Sequence, residues 1–245
     1  MKKVQHKIFE VGGCVRDEIL NLHTDDIDFT FVLADKNMTV DAGWEIMLDF
    51  LQTEGFKIFL KTKDCFTVRA QFPKGHQHEG LVADFVMARK EVGVIAGTRK
   101  PIVELGNLSD DLRRRDFTVN ALAKDSNGII IDEWNGLTDL KEMVLKTPLD
   151  PIVTLSDDPL RLLRALRFSI TKGFKIDESL MDAMLQHGLL MKLEHVVSQE
   201  RIRAEVTKMM KFDTVKSIEL IQKVPGLLEL IFSKGMWLMP TTKIK

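Results

Sequence analysis

The chain has 245 residues, of which 44% are hydrophobic and 29% are charged, and its formal net charge is −1. This composition predicts one or two soluble globular domains with a substantial core. The near-zero net charge argues mildly against a large nucleic-acid interface, and the absence of an apolar run of about 18 residues excludes a membrane span.

Cys14 and Cys65 are the only cysteines in the chain. Two isolated thiols indicate a reducing compartment, the cytoplasm, and exclude a disulfide framework. The N-terminal residues are polar and lack the apolar core of a signal peptide. His76 and His78 have no cysteine pair near them, so we interpret them as solvated loop residues and not as zinc ligands.

The first predicted feature is a turn at Gly12 and Gly13. Paired glycines permit a tight turn and close approach of the backbone to a ligand. Residues 15–20 then predict a short helix, whose N-terminus could hold an anion. The sequence therefore predicts a phosphate-binding turn with Arg16 close to it.

Asp26 and Asp28 come next, at the start of a strand predicted over residues 27–33. Residues i and i+2 of a strand share a face, so both carboxylates project together while Ile27 and Phe29 point into a core. Two like charges held this close are costly unless a cation lies between them, and oxygen ligands suit Mg²⁺ bound to phosphates. The alternative is an ordinary solvated strand end.

The rest of the first 147 residues predicts a mixed α/β domain. Apolar spacing indicates a helix over 40–51 that buries one side, and three strands follow it. The predicted elements are the helix 40–51, strands 56–60, 65–72 and 81–87, a flexible loop 91–100, short helices 108–114 and 118–123, and a final strand 128–132.

Beyond residue 147 the pattern becomes helical. Pro148, Pro151 and Pro159 bracket a predicted linker. Helices are predicted over 157–170, 178–190 and 198–211, with two shorter ones up to 232 that Pro225 and Gly226 separate. Residues 241–245 are predicted to be a loose tail.

Five motifs occur in a fixed order between residues 8 and 210. They occupy residues 12–17 with 26–29, then 111–123, 131–140, 157–168 and 198–202. In content and order they resemble class II tRNA nucleotidyltransferases, the family of CCA-adding enzymes and bacterial poly(A) polymerases. The resemblance implies an α+β fold: a mixed-sheet, polymerase-beta-type head over 1–147, an all-helical neck over 148–236 and a flexible tail over 237–245.

The resemblance also implies a reaction, the addition of nucleotides from ATP and CTP to the 3′ end or acceptor stem of tRNA with Mg²⁺ as cofactor. Asp26 and Asp28 would hold the metal, and Asp84, on the strand predicted over 81–87, is the candidate third catalytic carboxylate. For Asp84, a polar residue on the solvent side of the strand is the alternative.

Gly13 and Arg16 match the positions that contact the triphosphate in the family, since backbone N–H groups and a guanidinium fork suit phosphate oxygens. Arg114 matches the nucleotide-contacting arginine of the second motif, with Arg115 as the neighbouring alternative. Asp116 and Asn120 fit either a helix cap or a core network.

In the fourth motif, Asp158 and Arg161 match the pair that recognises the Watson–Crick edge of the incoming base. Arg164 and Arg167 would lie deeper, toward phosphate or a buried acid. The alternative is intrahelical Asp–Arg pairing on a solvated surface, which contributes only about 0.3–0.5 kcal/mol.

The largest departure from the family is at the C-terminus, where the body and tail domains of longer members are expected to be absent or vestigial. A partner or a homodimer could then supply the missing surface. Addition of A alone and a catalytically weak RNA- or nucleotide-binding module remain alternatives to CCA addition.

Overall fold

The computed structural model describes residues 5–94 and 101–233 of the chain. The chain folds into two compact units, Met1–Leu137 and Thr138–Lys245. The division falls earlier than the predicted boundary after residue 147. The predicted tail over 237–245 lies outside the described residues.

The first unit is built on a mixed sheet with the strand order β3-β4-β5-β2-β1-β8-β9. Its strands are β1 (His6–Val11), β2 (Ile27–Leu33), β3 (Lys57–Thr62), β4 (Thr67–Gln71), β5 (Val82–Met87), β8 (Leu122–Lys124) and β9 (Ile130–Asp132). The pair β2–β5 is parallel, and the other neighbours run antiparallel. A separate antiparallel pair is formed by β6 (Arg89–Val94) and β7 (Pro101–Leu105).

The helices α1 (Gly13–Ile19), α2 (Val40–Thr53) and α3 (Leu108–Arg113) connect these strands. Helix α2 begins at Thr39, whose hydroxyl accepts a hydrogen bond from the Ala42 N–H at 3.2 Å, as an N-cap residue should. The apolar side predicted for this helix is buried, with Trp44, Met47, Leu48 and Leu51 in the core. The periodicity thus predicted both the helix and its buried face.

Strand β2 has the predicted bounds and lies between β1 and β5. Ile27 is buried, and the ring of Phe29 stacks on that of Phe85 at a centroid distance of 4.9 Å. The alternation therefore directs the apolar side chains into the core, as expected, and leaves the opposite face for Asp28.

The sequence analysis missed one strand of the first unit and assigned one segment wrongly. No strand was predicted before the glycine turn, yet β1 lies near the middle of the sheet. Residues 118–123 form a 3-10 turn, Thr118–Asn120, followed by β8, because pairing with β1 and β9 overrides local helix propensity.

The predicted loop over 91–100 begins inside strand β6. The pair β6–β7 has a register shift between Glu91 and Gly93, and glycine commonly marks such an irregularity. Residues 95–100 lie outside the described part of the chain.

The second unit is mainly helical. Helix α4 (Gly136–Glu142) spans the division between the units, and a two-stranded parallel pair joins β10 (Val144–Leu145) to β11 (Lys175–Ile176). The remaining helices are α5 (Pro151–Asp157), α6 (Leu160–Lys172), α7 (Glu178–Met184), α8 (His187–Val196), α9 (Gln199–Phe212), α10 (Thr214–Gln222) and α11 (Leu227–Ser233).

Helix α5 occupies most of the predicted proline linker. The Asp150 carboxylate accepts hydrogen bonds from the backbone N–H groups of Ile152 and Val153, and Pro151 takes the first helical position, where its missing N–H costs nothing. Proline here starts a helix instead of marking a loop. The helix predicted over 178–190 is in fact two helices, α7 and α8. Helix α9 begins after Ser198, whose side chain caps it, a role that the sequence analysis did not assign to this residue.

Among the described residues, none of the helices combines the length and hydropathy that crossing a membrane requires.

Candidate functional site

The predicted catalytic carboxylates lie at the centre of the main sheet. Asp28 on β2 and Asp84 on β5 are register partners in the parallel pair, so their side chains leave the same face side by side. Asp26 lies immediately before β2, with its side chain exposed. The tertiary structure thus brings Asp84, which is remote in sequence, next to the Asp26/Asp28 pair.

The carboxyl groups of Asp26 and Asp84 lie close enough to that of Asp28 to affect its ionisation. Burial raises the pKa of the Asp28 carboxyl to about 6, with Asp26 and Asp84 adding to the rise and the Arg115 and Arg69 guanidinium groups opposing it. A cation placed between the carboxylates would relieve this repulsion.

Arg69 is a residue of this face that the sequence analysis missed. It lies on β4 as the register partner of Asp84, and its guanidinium donates to both carboxylate oxygens, Nε to Oδ1 at 2.7 Å and Nη2 to Oδ2 at 2.5 Å. Strand alternation placed Arg69 on one of two faces, but the pairing of β4 with β5 was needed to bring it to Asp84.

These carboxylates are also the residues that could hold a metal. Oxygen donors without nitrogen or sulfur ligands are the set that Mg²⁺ prefers, so the chemistry of Asp26 and Asp28 fits this ion. Within residues 5–94 and 101–233, no three His, Cys, Asp or Glu side chains are already grouped as a metal site. Asp84 is instead turned toward Arg69.

The glycine turn lies where β1 passes into α1. Gly12 has a φ of +79°, which favours glycine, and its N–H donates to the Leu122 carbonyl of the neighbouring β8 region at 3.1 Å. A Cβ at Gly12 would collide with Nη1 of Arg115. The turn therefore needs glycine both for its backbone angle and for the approach of a guanidinium group.

Arg16 was predicted to contact the triphosphate, but the structure buries it beside the turn. Its guanidinium donates to the two Asp17 oxygens at 2.9 and 2.8 Å and also to the Asn120 side-chain oxygen. Asn120 in turn donates to Asp116 at 2.9 Å. Asp116 and Asn120 thus belong to a core network, one of the two roles that their sequence allowed.

Arg114 and Arg115 both pair with Asp111, a fully buried carboxylate that the sequence did not single out. Burial pushes the pKa of Asp111 upward, but the two guanidinium groups and the Thr30 hydroxyl outweigh it and hold this pKa well below its usual range. Arg115 lies against Gly12 and lowers the pKa of Asp28, so it is the closer of the two arginines to the turn and the carboxylates.

In the second unit, Asp158 lies between α5 and α6. Its Oδ1 accepts from the Leu160 N–H at 3.2 Å, and its Oδ2 accepts from Arg201 on α9 at 2.8 Å. Arg161 donates to the Thr154 carbonyl at 3.1 Å. The ion pair of Asp158 is therefore with Arg201, a residue of the fifth motif to which the sequence assigned no role.

Arg164 and Arg167 point toward a buried acid, one of the two predicted alternatives. That acid is Glu205 on α9, which pairs closely with Arg167 and lies 4.0 Å from Arg164. The guanidinium of Arg167 also lies 4.2 Å from the centre of the Phe168 ring. Helix α9 thus supplies the counter-charges for Asp158, just before α6, and for Arg167 near its end, through Arg201 and Glu205.

The predicted site residues fall into two groups, each organised within its own unit. The first unit holds the carboxylates, the glycine turn and the first arginine cluster, and the second unit holds the charged row of α6.

Comparison with known proteins identifies what this arrangement is similar to. Residues 8–146 match the family model described as the poly A polymerase head domain. Over 222 residues, the chain is 33% identical to the nucleotidyltransferase lcsQ of Purpureocillium lilacinum, a match that covers 85% of this chain and 36% of that protein. Over 222 residues it is 32% identical to the CCA-adding enzyme of Limosilactobacillus fermentum, covering 86% of this chain and 48% of that protein.

Among solved structures, the chain resembles a tRNA nucleotidyltransferase complexed with a primer tRNA and an incoming ATP analogue. The TM-score is 0.71 and the identity 28%, over 95% of this chain and 61% of that one. The chain spans about half or less of the length of the curated relatives it matches.

Proposed function

The chain belongs to the family of class II tRNA nucleotidyltransferases and poly(A) polymerases, and we propose that it is an Mg²⁺-dependent enzyme that adds CMP and AMP from CTP and ATP to the 3′ end of tRNA. Addition or repair of the terminal CCA is the proposed task. The observation that carries this proposal is the side-by-side placement of Asp28 and Asp84 on one face of the sheet, with Asp26 near enough for its charge to raise the pKa of Asp28.

Asp26 and Asp28 would hold the metal, and Asp84 is the candidate third ligand. Bound there, the metal would lower the pKa of the attacking 3′-hydroxyl and stabilise the leaving pyrophosphate. Asp28 and Asp84 would also orient the reacting groups, because strands β2 and β5 fix their positions more firmly than loops would.

The glycine turn and the arginine cluster are proposed to bind the triphosphate. Arg115 and Arg114 carry the charge that would meet phosphate oxygens near Gly12 and Gly13. Arg16 is proposed to act indirectly, since its hydrogen bonds to Asp17 and Asn120 hold the start of α1 in place.

Nucleobase selection is proposed for the second unit. An ionised Asp158 can only accept hydrogen bonds and Arg161 can only donate them, and C and A both present an amino donor and a ring-nitrogen acceptor on the Watson–Crick edge. Arg201 would hold Asp158 in position, and Glu205 would orient Arg164 and Arg167.

A second candidate is the addition of A alone, as by a minimal poly(A) polymerase. The description of the matching family model, a poly A polymerase head domain, favours it. A catalytically weak RNA- or nucleotide-binding module is the alternative of another class. For the location we propose the cytoplasm, on the ground of the two free cysteines, and a homodimer stays a prediction.

The deciding experiment supplies tRNAs that end at each stage of CCA with CTP and ATP, separately and together, and sequences the products. We expect CMP on the first two substrates, AMP on the third, and no product from the Asp28→Asn variant. Incorporation of AMP alone would favour the second candidate, and no incorporation by the wild type would support the binding module.

A further inference from the structure

The carboxylate face continues across the sheet to a positive charge. Arg69 on β4 is the register partner of Asp84 on β5, and Asp84 is the register partner of Asp28 on β2. Register partners project from the same face, so Arg69, Asp84 and Asp28 form a lateral row on three neighbouring strands.

The contact between Arg69 and Asp84 engages the whole carboxylate. Both Asp84 oxygens accept from one guanidinium, at 2.7 and 2.5 Å, in the two-pronged geometry that gives arginine–carboxylate pairs their strength. The Arg69 side chain is 45% exposed and that of Asp84 is 21% exposed. The guanidinium can therefore move into solvent without opening the core, whereas the carboxylate cannot.

The charge of Arg69 acts on the whole acidic group. Its hydrogen bond and attraction to Asp84 raise the pKa of the guanidinium, and Asp26 and Asp28 add to this rise. Arg69 is thus a side chain of the protein that offsets the like charges of the three acids.

We infer that Arg69 is a positioning residue that competes with a divalent cation for Asp84, an assignment that rests on the proposed function. A carboxylate whose two oxygens both accept from a guanidinium has to release at least one of them before it can coordinate a metal. The guanidinium and the metal also repel each other. Arg69 therefore holds the Asp84 side chain in one position and neutralises its charge. As a result, the metal site fills only at a higher cation concentration than the carboxylates alone would require.

The test is a titration of the 245-residue chain with Mn²⁺ in the absence of nucleotide, with free Mn²⁺ followed by electron paramagnetic resonance. Arg69→Met should lower the Kd for Mn²⁺ about tenfold, the effect of removing one positive charge roughly 6 Å from a divalent ion in water. Arg69→Lys, which keeps the charge, should bind Mn²⁺ nearly as the wild type does.

Lys61→Met is the matched control. Lys61 is an exposed cation on β3 whose register partner is Val68, the neighbour of Arg69, so its side chain leaves the other face of the sheet. This variant should leave the Kd for Mn²⁺ unchanged. In an Asp84→Asn background, Arg69→Met should tighten Mn²⁺ binding by less than it does in the wild type, because only the repulsion between Arg69 and the ion remains and no Asp84 oxygen has to be released.

The inference would be overturned if Arg69→Met and Arg69→Gln both bind Mn²⁺ no more tightly than the wild type while their circular dichroism matches it. The absence of Mn²⁺ binding in every variant would overturn it as well. The readout does not depend on turnover. If Arg69→Met binds Mn²⁺ more tightly but the wild type incorporates no nucleotide, the inference stands and the proposed function is rejected.

Discussion

At the residue scale, Asp28 couples the candidate site to the stability of the fold. The folded pKa of Asp28 is raised to about 6 by burial and by its acidic neighbours, whereas the unfolded carboxyl ionises near about 4. As pH rises, the unfolded chain loses this proton first. The contribution of Asp28 to the free energy of unfolding is therefore full below pH about 4 and is lost as pH rises through about 6.

In the Asp28→Asn variant, the loss of stability at higher pH does not occur, because the amide stays neutral at every pH. We expect the variant to exceed the wild type in free energy of unfolding by roughly 1–3 kcal/mol at pH 7.5, with no such gain at pH 4. Urea unfolding at the two pH values measures the difference. Asp49→Asn, an exposed change on α2, is the control and should shift stability by less than about 0.5 kcal/mol at either pH. A variant less stable than the wild type at pH 7.5 would contradict the raised pKa of the buried Asp28 carboxyl.

At the element scale, the turn from β1 into α1 should depend on Gly12 for more than its backbone angle. Gly12→Ala places a side chain at a φ of 79° and a ψ of −129°, which costs about 1–3 kcal/mol, and it also pushes Arg115 away. We expect binding of CTP and ATP to weaken alike, by about tenfold or more, since small displacements in such sites are costly. Calorimetric titration with each nucleotide measures this loss.

Gly75→Ala separates the two effects. Gly75 has a φ of +81° but no atoms within 4 Å of an added Cβ, so this variant carries the backbone cost alone. Nucleotide binding should be unchanged in it. Equal binding by Gly12→Ala and Gly75→Ala would show that Arg115 does not bind the triphosphate.

The junction of α5, α6 and α9 should decide base choice. Replacing both Asp158 and Arg161 with alanine should lower the rate with CTP and ATP and relax discrimination against UTP and GTP, because each unpaired polar group contributes about 1–3 kcal/mol to rejection. Incorporation assays with all four nucleotides measure this selectivity. Arg203→Ala, on an exposed position of α9, is the control and should preserve it. Unchanged selectivity in the double variant would leave α6 with a purely structural role.

At the scale of the whole molecule, the proposed sites act on a nucleotide and on the end of an RNA. The chain matches its curated relatives over about half or less of their length. We therefore expect the 245-residue chain to use a minihelix of acceptor and T stem about as well as whole tRNA. The comparison of kcat/KM for the two substrates tests this. A large preference for whole tRNA would show that the 245 residues contact more of the RNA than its end.

The sequence by itself determined the motifs, the family resemblance and the elements with strong local signals. Strand β2 and helix α2 followed from a two-residue and a 3.6-residue period. The prediction that Asp26 and Asp28 project together is equally local, since it depends only on strand alternation, but β2 begins at Ile27 and leaves Asp26 just outside the strand.

Contacts between residues remote in sequence were decided only by the tertiary structure. The register of β4, β5 and β2 places Arg69 on Asp84 and Asp84 beside Asp28, and sequence alternation assigns faces but not register. Arg16 is a second case in which the sequence did not specify the partners of a residue. Its motif predicts a phosphate ligand, whereas in the folded chain its guanidinium donates to Asp17 and Asn120. Local patterns specify which residues are present and which way they face, but only packing selects the partner that each charge finds.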